Sequence, residues 1–146
     1  MKTTYKSFQQ LSVYELYDIL ALRTEVFIVE QNCPYQDEDG LDHRALHVMM
    51  YDNDVLVSYC RLFDKNIKYP TTSIGRVIVK PTHRNRALGH VLIQSAIEII
   101  TKEFNTNTIT ISAQEHLRKF YETHGFVKTS DTYLEDNIPH IEMLRS

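Results

Sequence analysis

Arg84 and Arg86 flank Asn85 just past Pro81, and Gly89 then opens a run in which Val91, Leu92, Ala96, Ile97, Ile99 and Ile100 fall at helical spacing. A β-branched stretch, residues 74–79, leads into this basic turn. Strand, basic turn and helix start together suit a pyrophosphate. The first N–H groups of a helix lack internal partners and carry partial positive charge. Arginine adds a fixed charge that suits phosphate, and Gly89 leaves no Cβ in the way of the backbone. The same residues equally describe an ordinary strand-to-helix turn with solvated arginines. A second cluster, Phe120-Tyr121-Glu122-Thr123-His124-Gly125-Phe126, sets one phenol among aromatics before a helix-ending glycine. That hydroxyl is a proton donor or merely the wet end of a packing residue.

Several elements must hold these groups. Residues 3–8 read as a short strand. Ser12 with Glu15 three positions on is a capping box. It starts a helix through Leu16, Ile19, Leu20, Arg23 and Phe27 to about Gln31, with a break near Arg23, and Pro34 ends it. Residues 36–44 form an acidic loop around Gly40. Strands 47–51 and 55–63 meet at the Asp52-Asn53-Asp54 turn. A strand over 71–79, a helix over 89–104, a strand over 108–113 and a helix over 115–124 follow. Late strands at 127–134 and 140–144 are joined by a turn at 135–139. This mixed α/β order fits a twisted sheet with helices on both faces and a right-handed crossover in the middle.

The 146 residues are expected to form a single domain, 1–146, large enough for a hydrophobic core. A net charge of -3 gives no general pull toward nucleic acid or anionic membrane. No signal peptide or membrane span is read, and the two cysteines, Cys33 and Cys60, are too few for a disulfide framework, so a cytoplasmic protein is expected. No metal site is read: residues 37–42 lack the terminal glutamate spacing of a calcium loop, and a strand start is expected between His43 and His47. Cys33 has no His/Asn pattern to support it as a nucleophile.

The two clusters resemble the signature regions of the GCN5-related N-acetyltransferases, the GNAT family. Arg84 to Gly89 stands where that family carries its acetyl-CoA loop, R/Q-x-x-G-x-G/A, with Ala87 replacing the first glycine. An alanine there can still present its N–H while its φ stays negative. Residues 23–37, 74–79 and 136–143 together are similar to the ElaA-like branch of the family. The resemblance implies an α/β (α+β) fold: a mixed, twisted and splayed central sheet of six to seven strands flanked by about four helices. It also implies acetyl-CoA as co-substrate, held by Val77, Ile78, Val79, Arg84, Asn85, Arg86, Ala87, Leu88, Gly89, His90 and Gln114, with Ser112 as a weaker contact. A β-bulge near Val77 would splay the sheet and free an N–H to polarise the thioester carbonyl. Tyr121 stands where the family often places a tyrosine facing the coenzyme sulfur, and is expected to be the general acid.

The resemblance also makes the first helices and following loop one wall of an acceptor site. Arg23, Phe27, Glu30, Arg61, Arg76 and His140 are the candidate substrate-binding residues. Two arginines in a cleft suit an acceptor bearing carboxylate or phosphate. A structural ion pair of Arg61 or Arg76 with Glu30 is the alternative. Glu30, Glu142, His140 and His47 are the candidate bases. Direct acetyl transfer to an amine in a ternary complex is the leading reading. Its alternatives are a non-enzymatic acyl-CoA-binding or sensing module, and transfer from a larger acyl donor as in the distantly similar acyl-homoserine-lactone synthases. The amine acceptor is unnamed, and the late strands allow a homodimer.

Overall fold

The computed structural model describes residues 1–146. Strand β1 (Lys2–Ser7) is followed by helix α1 (Val13–Arg23), whose start is the expected capping box. The Ser12 hydroxyl accepts from the Glu15 amide at 3.0 Å, and the Glu15 carboxylate accepts from the Ser12 amide at 2.9 Å. Such a cap is worth about 1 kcal/mol. At Thr24 the helix does not end. It widens into a π-helix, Thr24–Glu30, with Gln31 and Cys33 amides bonded to the Val26 and Ile28 carbonyls. The expected break near Arg23 is therefore a change of helical pitch.

Strands β2 (Leu46–Asp52), β3 (Val55–Phe63) and β4 (Thr72–Val79) form an antiparallel meander with β1. Asn53, at φ +55°, makes the tight turn between β2 and β3. Helix α2 (Leu88–Phe104) crosses over to β5 (Ile109–Gln114), which pairs parallel to β4. A short 3-10 turn at Glu115–Leu117 leads into α3 (Arg118–Glu122), and Gly125 follows at φ +89°. Strands β6 (Val127–Lys128), β7 (Tyr133–Glu135) and β8 (Ile138–Arg145) complete an eight-stranded sheet in the order β1-β2-β3-β4-β5-β8-β6, with β7 also on β8.

The sheet has more strands than expected because residues 127–134 do not form one strand. Glu142 of β8 donates its amide to the Ser130 hydroxyl at 2.9 Å and accepts the Thr129 amide through its carbonyl. Hydroxyl side chains that bond locally to backbone compete with a regular ladder. Of the helices expected, three are α-helices, and the π-helix stands where the fourth was looked for.

Helix α2 buries Leu88, Leu92, Ile93, Ala96, Ile97, Ile99 and Ile100. It anchors a core cluster of 20 buried residues that includes Val48, Leu62, Ile111, Tyr121 and Met143. Each fully buried aliphatic side chain there contributes about 1.5–3 kcal/mol. Seven residues on the other face, among them Ile19, Leu22, Val26, Tyr59 and Ile78, seat α1. No helix is long and apolar enough to cross a membrane.

Two irregularities in β4 open the sheet. From Tyr59↔Ile78 to Arg61↔Gly75, β3 advances by two residues and β4 by three. The extra residue is a bulge at Arg76–Val77, with Arg76 at φ +52°. Strands β4 and β5 pair only at Thr72↔Ile109 and Ser73↔Thr110, then part. The bulge expected near Val77 and the splay expected beside it are both present.

Candidate active site

The splay opens a cleft with two compartments. One, of about 660 Å³, lies along the end of β4 and is lined by Val77, Ile78, Val79, Arg84, Gly89, Phe120 and Gln114. The other, of about 140 Å³, lies between the middle of β4, the β3–β4 connection and the β7–β8 turn. Phe27, Gln31, Val77, Gln114, Leu117, Tyr121 and Ile138 border both. Tyr121 is 5 % exposed and packs edge-on to Phe120 and Phe126. Burial, with Cys60 beside it, pushes its pKa well above the usual phenol range. The hydroxyl is therefore protonated at neutral pH.

The basic turn differs from expectation in three ways. Ala87, expected at negative φ, lies at φ +56°, and Asn85 lies at φ +70°. With Arg86 between them, the sign of φ alternates, a pattern that turns successive N–H groups toward one side. Ala87 is also the N-cap of α2, in a conformation that favours glycine. The Arg84 guanidinium is engaged by Glu30 at 2.5 and 2.8 Å and by the Val79 carbonyl at 3.0 Å. Glu30 is thereby held below the usual carboxylate range, chiefly by its hydrogen bond to Arg84. Gly89 has a close neighbour in the protein itself, since a Cβ there would lie 3.3 Å from Phe120 Cε1 and Cζ. Its lack of a side chain admits the ring that backs Tyr121.

Of the expected coenzyme residues, Val77, Ile78, Val79, Arg84, Gly89 and Gln114 line the larger compartment. Asn85, Arg86 and Ala87 sit exposed beyond it, Leu88 is turned into the core, and His90 faces outward, 2.9 Å from His124. Ser112 borders the smaller compartment and is bonded to the Tyr133 hydroxyl at 2.5 Å.

Of the acceptor-side arginines, Arg61 and Arg76 line the smaller compartment. Arg23 is fully buried and borders neither compartment. It donates from Nε to Asp37 at 2.6 Å and from Nη1 to Asp42 at 2.7 Å. Arg61 donates to Asp39 and Asp42, each at 2.9 Å from Nη1, and Arg76 Nε lies 2.8 Å from Asp37 Oδ1. Three guanidinium groups thus meet three carboxylates of the acidic loop, and none pairs with Glu30. Burial opposes charge on Asp39 and Asp42, but the bonds from Arg61 and Arg23 outweigh it and hold both below the usual range. The arginines form a neutral wall. The acidic loop, read from sequence only as a loop, is the missed partner; its three aspartates within six residues were the signal.

The candidate bases also separate. His47 is fully buried between the Tyr59 hydroxyl at 2.6 Å and the Asp42 carbonyl at 2.8 Å. Glu142 accepts from Thr129 at 3.1 Å and borders neither compartment. His140 borders the smaller compartment together with Tyr121. Its Nδ1 lies 2.7 Å from the Ile138 carbonyl, which makes Nδ1 a donor, and its Nε2 lies 3.4 Å from Glu135 Oε2. Cys33 Sγ lies 3.0 Å from the Asp136 carbonyl and ties the end of the π-helix to the β7–β8 turn.

An acetyltransferase (GNAT) domain model matches residues 9–146. The chain is 41% identical over 138 residues to Protein ElaA of Escherichia coli, covering 93% of this chain and 90% of that one. The crystal structure of Escherichia coli ElaA superposes with a TM-score of 0.92 at 38% identity over the whole of both chains. That of an acyl-CoA N-acyltransferase from Pseudomonas aeruginosa does so with 0.94 at 40% identity, again over both whole chains. A CoA-dependent acyl-homoserine lactone synthase shares the fold alone, with a TM-score of 0.78 at 16% identity over 96% of this chain and 80% of that one. The chain belongs to the GNAT family, is ElaA-like, and has the fold of the acyl-CoA-dependent acyltransferases.

Proposed function

We propose that this chain is a single-domain N-acetyltransferase that moves an acetyl group directly from acetyl-CoA to an amine while both are bound. The observation that carries the reading is Tyr121, a buried phenol at the junction of two compartments, beside a bulged and splayed strand. The larger compartment takes the coenzyme. The β4 backbone at Val77 and Val79 pairs with its pantetheine arm, and the amides around Ala87–Gly89 face its pyrophosphate. The amides freed at the bulge polarise the thioester carbonyl. His140 accepts the proton of the incoming amine at Nε2, and Glu135 stabilises the imidazolium so formed. Tyr121 gives its proton to the departing thiolate. Holding both reactants in one cleft supplies much of the rate.

The test is paired. Acetyl-CoA at a hundred times its Kd should stabilise the fold by about 2.7 kcal/mol, which is a rise of several degrees in Tm at this size. Thiol release is then followed across a panel of amines. A Tm unmoved by millimolar acetyl-CoA refutes the coenzyme site. Stabilisation without turnover on any amine, peptides included, would leave a binding module. Longer acyl-CoA donors outcompeting acetyl-CoA would replace acetyl with a larger group.

A further inference from the structure

The smaller compartment has a floor that the protein does not finish. Arg61 and Phe63 of β3 stand opposite Gly75 and Ser73 of β4, so their side chains share one face of the sheet. Ser73 is 3 % exposed and its hydroxyl has no hydrogen-bond partner. Arg61 is 1 % exposed, and although its two Nη groups are taken by aspartates, its Nε–H has none. Unpaired buried donors are rare, and each costs about 1–3 kcal/mol. Both border the same cavity. Between them Gly75 leaves a gap, because a Cβ built there would meet nothing within 4 Å. Gly75 does not need its freedom for a positive φ, so its value here is space.

Charge completes the picture. The guanidinium groups of Arg23, Arg61 and Arg76 are cancelled by Asp37, Asp39 and Asp42. Lys68, in the β3–β4 connection, also borders the cavity. It sits among Arg61, Asp39, Arg76 and Glu135, yet its ammonium forms no ion pair or hydrogen bond. One unpaired ammonium and two donors without partners therefore border one small space, with the carboxylates of Glu135 and Asp136 on its rim. On the same cavity stand His140 and Glu135, which suit an ammonium.

We propose that the acceptor is a small primary amine bearing one carboxylate, of the α-amino acid class, with its carboxylate over Ser73, Gly75 and Arg61 beside Lys68 and its amine toward His140. This rests on the acetyltransferase reading above. A volume of about 140 Å³ falls below the ~300–1,000 Å³ of pockets for drug-sized ligands, which fits a compact acceptor. A phosphate shares the oxyanion chemistry but brings about two charges, and the wall has only Lys68 to offset them.

The experiment follows thiol release from acetyl-CoA with each α-amino acid, its decarboxylated amine, and phosphoethanolamine. At least one amino acid should exceed its decarboxylated amine by about 10- to 100-fold in kcat/KM, the worth of a charged hydrogen bond. Lys68→Glu, an exposed change that the fold should tolerate, should collapse that ratio by raising KM for the amino acid. Gly75→Ala adds a Cβ that meets no protein atom within 4 Å, and should raise KM for the amino acid while the Tm rise with acetyl-CoA persists. Decarboxylated amines used as well as the amino acids would overturn the proposal, as would a preference for phosphoethanolamine. Turnover confined to peptides or proteins would overturn it too, while leaving the acetyltransferase reading intact. Loss of the acetyl-CoA shift in the unaltered protein would instead refute that earlier reading.

Discussion

Tyr121 owes its chemistry to its surroundings. Burial raises its pKa, so the O–H is present across the pH range of any amine assay. Replacing it with phenylalanine keeps the ring contacts with Phe120 and Phe126 and removes only the proton. Tyr121→Phe should keep acetyl-CoA affinity and lower kcat by about 10²- to 10⁴-fold, the usual range for a positioned acid. Steady-state kinetics with a single-turnover check on the chemical step decides this, and an unchanged kcat would remove the acid role. Arg84 presents a different case. Its guanidinium is already held by Glu30 at the mouth of the larger compartment. If it exchanges that partner for a coenzyme phosphate, Arg84→Ala should weaken acetyl-CoA binding by about tenfold or more. Calorimetry showing equal affinity would leave Arg84 as the partner of Glu30 alone.

At the scale of elements, the turn before α2 was partly legible. Its place after a β-branched strand and its basic residues could be read, and the loop lies where they put it. The conformation of Ala87 could not be read, because alanine signals negative φ. The chain turns there through the left-handed region regardless, at a cost of about 1–2 kcal/mol for a residue with a Cβ. Ala87→Gly, which restores the family's glycine, should therefore raise stability by up to about 1 kcal/mol, seen as a rise of a few degrees in Tm. A fall would mean that the added backbone freedom outweighs the relief. The first helix shows the same limit. Ser12 and Glu15 announced its start, but nothing in residues 24–30 marks the change to π pitch. That change directs Phe27 and Gln31 to the cleft while Arg23, four residues before Phe27, points into the core. The arginine wall was hidden for another reason. Asp37, Asp39 and Asp42 lie in an irregular loop, where no periodicity fixes which way a side chain faces.

Across the whole molecule, that wall makes stability depend on acid. Asp39 and Asp42 titrate lower in the folded chain than the ~3.9 of an unfolded aspartate. Between those values the unfolded chain binds more protons, so lowering the pH favours unfolding. Their contribution is complete above about pH 5 and drains away as pH falls through 4 and below. Urea midpoints should hold between pH 7 and 5 and drop at pH 3, with a smaller drop in Asp39→Asn. An equal drop in that variant would place the acid sensitivity elsewhere. The splay carries a consequence in time as well as in space. Strands β2 to β4 are sequence neighbours joined by short connections, whereas β5 reaches β4 only after the whole of α2 and then meets it at two residue pairs. Short loops close at lower entropic cost, and local contacts form faster than distant ones. The meander should assemble first, with the parallel seam at Thr72 and Ser73 closing last. The cleft would then be the final part of the molecule to take shape during folding, and the first to lose it when the chain begins to unfold.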